Sequence, residues 1–137
     1  MGKVQILAVL TMDGCLSSEL YDKTHQDLCL DRCGLDEIRK KALYRVTPDY
    51  SISMLHEWRK DGTNIRYLAE ATPDTADYIN GLLRMHAVDE IILYTVPFIS
   101  GSGRHFFKSA LPEQHWTLSS LKSYPNGVCR IIYILDK

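Results

Sequence analysis

Two almost uninterrupted apolar runs, VQILAVL (residues 4–10) and EIILYTVPFI (residues 90–99), constrain this chain more than anything else in it. A strand with one face in water alternates apolar and polar side chains. These runs hardly alternate, as expected of strands covered on both faces in a sheet lying between helices. The covering helices can be read from the stretches between the runs. In LDEIRKKAL (residues 35–43), Leu35, Ile38 and Ala42 share one helical face, with the charges opposite. In SISMLHEWRKDG, Ile52, Leu55 and Trp58 fall at helical spacing, with Ser51 placed to cap and Gly62 to stop the helix. The clearest helix start is Thr72-Pro73-Asp74. There Thr72 caps, Pro73 sits where no N–H is needed, and Asp74 and Asp77 favour the positive end of the dipole. Ala76, Ile79, Leu82 and Leu83 form its buried stripe.

Residues 64–71 (NIRYLAEA) read as a further strand, and HWTLSSLKSYPNGVCRIIYIL reads as a hairpin turning at Pro125-Asn126-Gly127. The order strand, helices, strand, helix, strand and hairpin predicts an α/β domain on a mixed sheet. The length, 137 residues, suits one domain spanning 1–137.

A formal charge of -1 gives no general attraction for nucleic acid or acidic membranes. No stretch nears the ~20 apolar residues of a membrane span, and residues 4–10 lack a signal-peptide pattern. A cytoplasmic protein is expected, with Cys15, Cys29, Cys33 and Cys129 reduced. His25, Cys29 and Cys33 recur in steps of four, which on a helix suggests metal ligands. That step drifts around a real helix and no fourth ligand stands near, so packing of small thiols is expected and no metal.

Ser100-Gly101-Ser102-Gly103 follows a buried strand and precedes Arg104-His105. Such a loop either forms a nest of N–H groups for an anion or simply bends the chain, and both readings stay open. Asp13, in the Asp13-Gly14 turn, is either a proton relay or a turn residue. Glu70 ends an inner strand, where a carboxylate serves function or caps the following helix. Asp89-Glu90 reads as a structural salt link. No Gly-x-Ser-x-Gly elbow or Cys/His pair supports hydrolase chemistry.

These residues resemble a known family. AVLTMDGCLSS is similar to the opening strand and S-x-D-G-x-I turn of the dihydrofolate-reductase-like superfamily. LLRMHAVDEIILYTVPFISGSGRHFF resembles a segment of the reductase domain of the bifunctional riboflavin-biosynthesis deaminase–reductase, with its V-D-E and G-x-G landmarks. RYLAEA stands where that branch has a strand ending in Glu-Gly-Gly, and GVCRIIYIL is similar to its last strand.

The resemblance implies a three-layer α/β fold with a mixed, mostly parallel sheet, flanking helices and a C-terminal β-hairpin. Part of the usual middle region has no counterpart here. It also implies hydride transfer from NADPH to a pyrimidine- or pterin-like small molecule, with Asp13 and Glu70 in catalytic positions. Thr11, Gly14, Thr72, Gly101 and Gly103 would hold the cofactor, and a homodimer is expected. Ala71-Thr72 replaces the family's glycine pair, which leaves a second reading open: a non-catalytic relative that binds a small ligand or a protein partner.

Overall fold

The structure, a computed structural model, describes residues 2–16, 34–42, 44–60, 65–99, 101, 105–108 and 111–136. The strands are β1 (Lys3–Leu10), β2 (Tyr44–Arg45), β3 (Arg66–Glu70), β4 (Glu90–Thr95), β5 (Trp116–Ser123) and β6 (Cys129–Leu135). The described helices are α1 (Leu35–Lys41), α2 (Ile52–Lys60) and α3 (Ala76–Arg84). One six-stranded sheet runs in the order β2-β3-β1-β4-β6-β5. β2, β3, β1 and β4 are parallel; β6 runs antiparallel to β4, and β5, antiparallel to β6, points the same way as the first four.

The apolar run of β1 is explained by its place. It pairs with β3 from Lys3 to Leu7 and with β4 from Gln5 to Leu10, and both its faces are covered. Val4, Ile6, Ala8 and Leu10 point toward Leu55 of α2 and Ala76, Ile79, Leu82 and Leu83 of α3. Leu7 and Val9 point the other way, toward Leu35 of α1 and Leu68, Ile92, Tyr94 and Val96. Each fully buried Leu or Ile of this kind stabilises the fold by about 2 kcal/mol.

The helix starts follow their sequence signals. The Ser51 hydroxyl accepts the N–H of Met54 at 3.2 Å, the cap expected for α2. Before α3, the Thr72 hydroxyl accepts the N–H of Thr75 at 3.2 Å, and the Thr75 hydroxyl accepts the N–H of Thr72 at 2.8 Å. This is a capping box with Thr in the place usually held by Glu. The hairpin turns where expected: Gly127 adopts φ 89 and donates to the Tyr124 carbonyl at 3.0 Å. Strand β2 escaped the sequence reading, because a strand of two residues has no periodicity to detect.

At the edge where β1 and β4 begin, Asp89 ties three elements together. Its carboxylate accepts from Arg59 Nη2 at 2.6 Å and Nε at 3.0 Å, and from the N–H of Val4 at 2.9 Å. The salt link expected at Asp89 is therefore present and joins α2 to the central strand. Asp89→Ala takes the carboxylate from a largely buried guanidinium, which keeps only its bond to the His86 carbonyl and its contact with His56, and removes the side-chain acceptor of the Val4 N–H, so a loss of about 3 kcal/mol is expected in urea unfolding.

The Tyr78 hydroxyl of α3 donates to the Tyr50 carbonyl at 2.7 Å, and burial raises its pKa above the ordinary 10.0. A raised folded pKa means this stability is complete below the ordinary value and is lost as pH rises through the folded one. Urea midpoints measured from pH 8 to pH 11 should therefore fall less steeply above pH 10.0 in Tyr78→Phe than in the wild type.

Candidate functional site

In sheets of this kind ligands lie beyond the carboxyl ends of the parallel strands. Here that edge carries Thr11 after β1, Glu70 at the end of β3, and the segment from Val96 after β4. Thr11 is buried, and its N–H donates to the Cys15 carbonyl at 2.8 Å while its hydroxyl accepts the Cys15 N–H at 3.1 Å. The turn between them needs Gly14, which adopts φ 80. Met12 N–H donates to the Phe98 carbonyl at 2.7 Å, and Phe106 N–H donates to the Gly14 carbonyl at 3.1 Å. A β-bridge joins Cys15 to His105. The turn after β1 and the segment after β4 thus form one unit.

Asp13 is the clasp of that unit. Its carboxylate accepts a hydrogen bond from the Thr11 hydroxyl and another from the N–H of Gly101, the latter at 3.0 Å. Gly101 adopts φ 73 and has no atom within 4 Å of the place a Cβ would take. Its glycine is needed for backbone shape, and the space beside it is open. Around this open space Met12, Phe98 and Ile99 show apolar surface, with Ile99 71% exposed. This open space, the recess, has the Gly101 backbone on one side and exposed apolar side chains in the neighbouring chain segments.

The expected site residues fall into two groups. Thr11, Asp13, Gly14 and Gly101 come together as described. Glu70 and Thr72 do not join them. Glu70 is in register with Leu7, four residues before Thr11, which places it about 13 Å lower along the strands. There its carboxylate is gripped by Arg39 of α1 and by Arg45 of β2, the latter at 3.1 Å. Thr72 spends its hydroxyl and its N–H on the cap with Thr75. Gly103 lies outside the described residues, as do His25, Cys29 and Cys33. Among the described residues no group of His, Cys, Asp or Glu is placed to hold a metal. Among the described residues Cys15 and Cys129 form no disulfide.

A cleft of about 860 Å³ opens at the opposite edge, lined by Lys3, His56, Arg59, Asp89, Ile134 and Asp136 among others. Most of its polar groups are already committed. Arg59 pairs with Asp89, His56 bonds the Met85 carbonyl at 3.0 Å, and Thr117 bonds Asp136. The recess beside the Asp13 clasp is the stronger candidate because it lies at the carboxyl edge of the parallel strands.

The sequence reading missed Asn80, a polar residue on the buried face of α3 with no exposed surface. Its amide donates to the Phe106 carbonyl at 2.8 Å and accepts the Lys108 N–H at 3.0 Å, which pins the segment after the recess. An Asn between Ile79 and Leu82 on an apolar stripe was the only available signal.

No family model and no curated protein matches the chain. Solved structures do. A Shewanella sp. PV-4 protein described as a riboflavin biosynthesis protein matches 98% of this chain and 99% of its own, with TM-score 0.65 at 10% identity. RibD of Acinetobacter baumannii matches 99% of this chain with TM-score 0.56 at 13% identity, and this chain spans 58% of it. A dihydrofolate reductase from Enterococcus faecalis, solved with NADP(H), gives 0.58 at 11% identity over 98% of this chain and 97% of that one. The fold is dihydrofolate-reductase-like.

Within this dihydrofolate-reductase-like sheet, Asn80 holds the loop that the recess leans on. Asn80→Ala should cost about 2 kcal/mol in urea unfolding, because it leaves the Phe106 carbonyl and Lys108 N–H unpaired. Amide exchange should rise at Lys108 and stay slow in β1.

Proposed function

We propose that this protein is an NADPH-dependent reductase of the riboflavin-biosynthesis and dihydrofolate-reductase type, acting on a pyrimidine- or pterin-like small molecule in the cytoplasm. The observation that carries the reading is the clasp of Asp13 on Gly101, which sets glycine backbone beside open space at the edge where sheets of this kind take their ligands.

The residues fit one end of the cofactor. Gly14 and Gly101 leave room for a flat ring, and Met12, Phe98 and Ile99 shield it from water. They fit the diphosphate end less well. Thr72 N–H and hydroxyl already serve the Thr75 cap, and Pro73 has no N–H to offer.

Bound NADPH would supply a hydride. The protein's part is to orient and shield. Asp13, accepting from Thr11 and Gly101, keeps the recess in shape, and its position at the rim lets it relay a proton from water. Glu70, paired with two arginines, acts on this reading as an ionic anchor below the recess. The homodimer is supported by edge strand β5, which shows Leu118 and Leu121 to solvent.

The second reading, a non-catalytic relative that binds a ligand or partner, is favoured by the engagement of Thr72 and Glu70 within the chain itself. Titration with NADPH, followed by the fluorescence of Trp58 and Trp116, separates the two. Saturation in the micromolar range, about 8 kcal/mol of binding, is expected for the reductase. It should weaken in Asp13→Ala, which unfastens the recess. No binding at millimolar cofactor would leave the non-catalytic reading.

A further inference from the structure

Strand β5 ends the sheet, and among the described residues no strand pairs with its outer side. A row of open backbone is a template for another strand, and folds that leave one open commonly blunt it with charge or proline. β5 holds no proline and a single charge, Lys122. It shows Leu118 and Leu121 to solvent at 51% and 62% exposure. Its register with β6 shifts once, at a bulge between Leu118 and Ser120.

The hydrogen bonds at the two ends of β5 tell which residues turn outward. In an antiparallel pair, facing residues alternate between those that bond each other and those whose N–H and C=O point away. His115, just before β5, accepts the Asp136 N–H at 3.1 Å. Counting on from there, Thr117 bonds β6, while Trp116 and Leu118 turn outward. Tyr124, just after β5, donates to the Val128 carbonyl at 2.9 Å. Counting back, Lys122 and Ser120 bond β6, while Ser123 and Leu121 turn outward. The bulge at Ser119 reconciles the two counts. It also brings Leu118, opposite Tyr133, and Leu121, opposite Ile131, to the same face of the sheet.

The outward set is symmetrical about the peptide between Ser119 and Ser120. With a second copy laid antiparallel on a two-fold axis there, Leu118 meets the partner's Leu121 and Trp116 meets the partner's Ser123. No other two-fold register matches all of the outward residues. The charges agree with it. On the opposite face Lys122 meets the partner's Thr117, and the Thr117 hydroxyl is bonded to Asp136. Lys122 stands 5.3 Å from the centre of the Tyr124 ring, and neither Lys122 nor Asp136 has an ion-pair partner among the described residues.

We propose that β5 pairs with β5 of a second copy, antiparallel about the Ser119–Ser120 peptide, joining two six-stranded sheets into one. Each outward pair exchanges two backbone hydrogen bonds, each Leu packs on a Leu, and each Lys122 lies beside the partner's Asp136. The two-fold axis makes every contact twice. This pairing rests on the homodimer of the proposed function, to which it gives a surface and a register, and is independent of cofactor binding.

The test is sedimentation velocity on the whole chain over a range of protein concentration. The wild type is expected to dimerise. Leu121→Lys should weaken the dimer about a hundredfold, because two buried leucines are lost, each roughly tenfold. Lys122→Glu and Asp136→Lys should each weaken it about tenfold, and the two together should restore it. All three side chains are exposed, so thermal midpoints of the monomer are expected to hold. If Leu121→Lys fails to fold, the charge swap decides. A wild type that stays monomeric overturns the pairing and the homodimer together. A dimer indifferent to Leu121→Lys overturns the pairing alone and leaves a dimer built on another surface. A charge swap that stays weak overturns the register.

Discussion

Everything in this molecule depends on a central strand that is covered on both faces and paired on both edges. β1 lies between β3 and β4, so it has neither a water-facing side nor a free edge. That constraint requires helices on both faces, and it fixes where they go. α2 and α3 cover one side through Leu55, Ile79 and Leu82, and α1 covers the other through Leu35. It also requires the chain to cross over between parallel strands, so β1, β3 and β4 all end at the same carboxyl edge. The recess arises there because Thr11 must leave a buried strand and turn at once. Cys15, Gly14 and the segment after β4 satisfy the backbone groups this turn exposes.

Much of this was legible in the residues. A run such as residues 4–10 has a single structural use, and the Thr72-Pro73 and Pro125-Asn126-Gly127 signals act through local chemistry that does not depend on the rest of the fold. Ser51 and Thr72 cap because a hydroxyl reaches amides only two or three residues away. What could not be read depended on distant partners. Arg39 and Arg45 looked like ordinary charges on a helix and a short polar stretch. They become the two arms holding Glu70 only because α1 and β2 flank the end of β3. Asn80 looked like an interruption of an apolar stripe, and its partners lie 26 and 28 residues ahead.

The candidate site was legible in part for the same reason. Thr11, Asp13 and Gly14 are neighbours in the chain, so their grouping needed no fold. Gly101 joined them through the parallel pairing of β1 with β4, which brings the two strand ends level. Glu70 was placed with them by resemblance, and register separates them. β3 ends in line with Leu7, while β1 runs on to Leu10, so the sheet edge is a step.

The step explains why Thr72 is committed to a helix. Because β3 stops early, the chain turns at Thr72 directly into α3, and the first amides of that helix need acceptors close to a packed surface. With Thr at both positions 72 and 75, the chain supplies its own acceptors and fixes the helix start. A helix end satisfied in this way gains order and loses ligand capacity, since each N–H has one hydrogen to give. A ligand diphosphate would have to break the cap to bind at Thr72, and each broken bond would cost about 1 kcal/mol of its affinity. The part of the carboxyl edge that stays open therefore lies at the upper level of the step, beside Gly101.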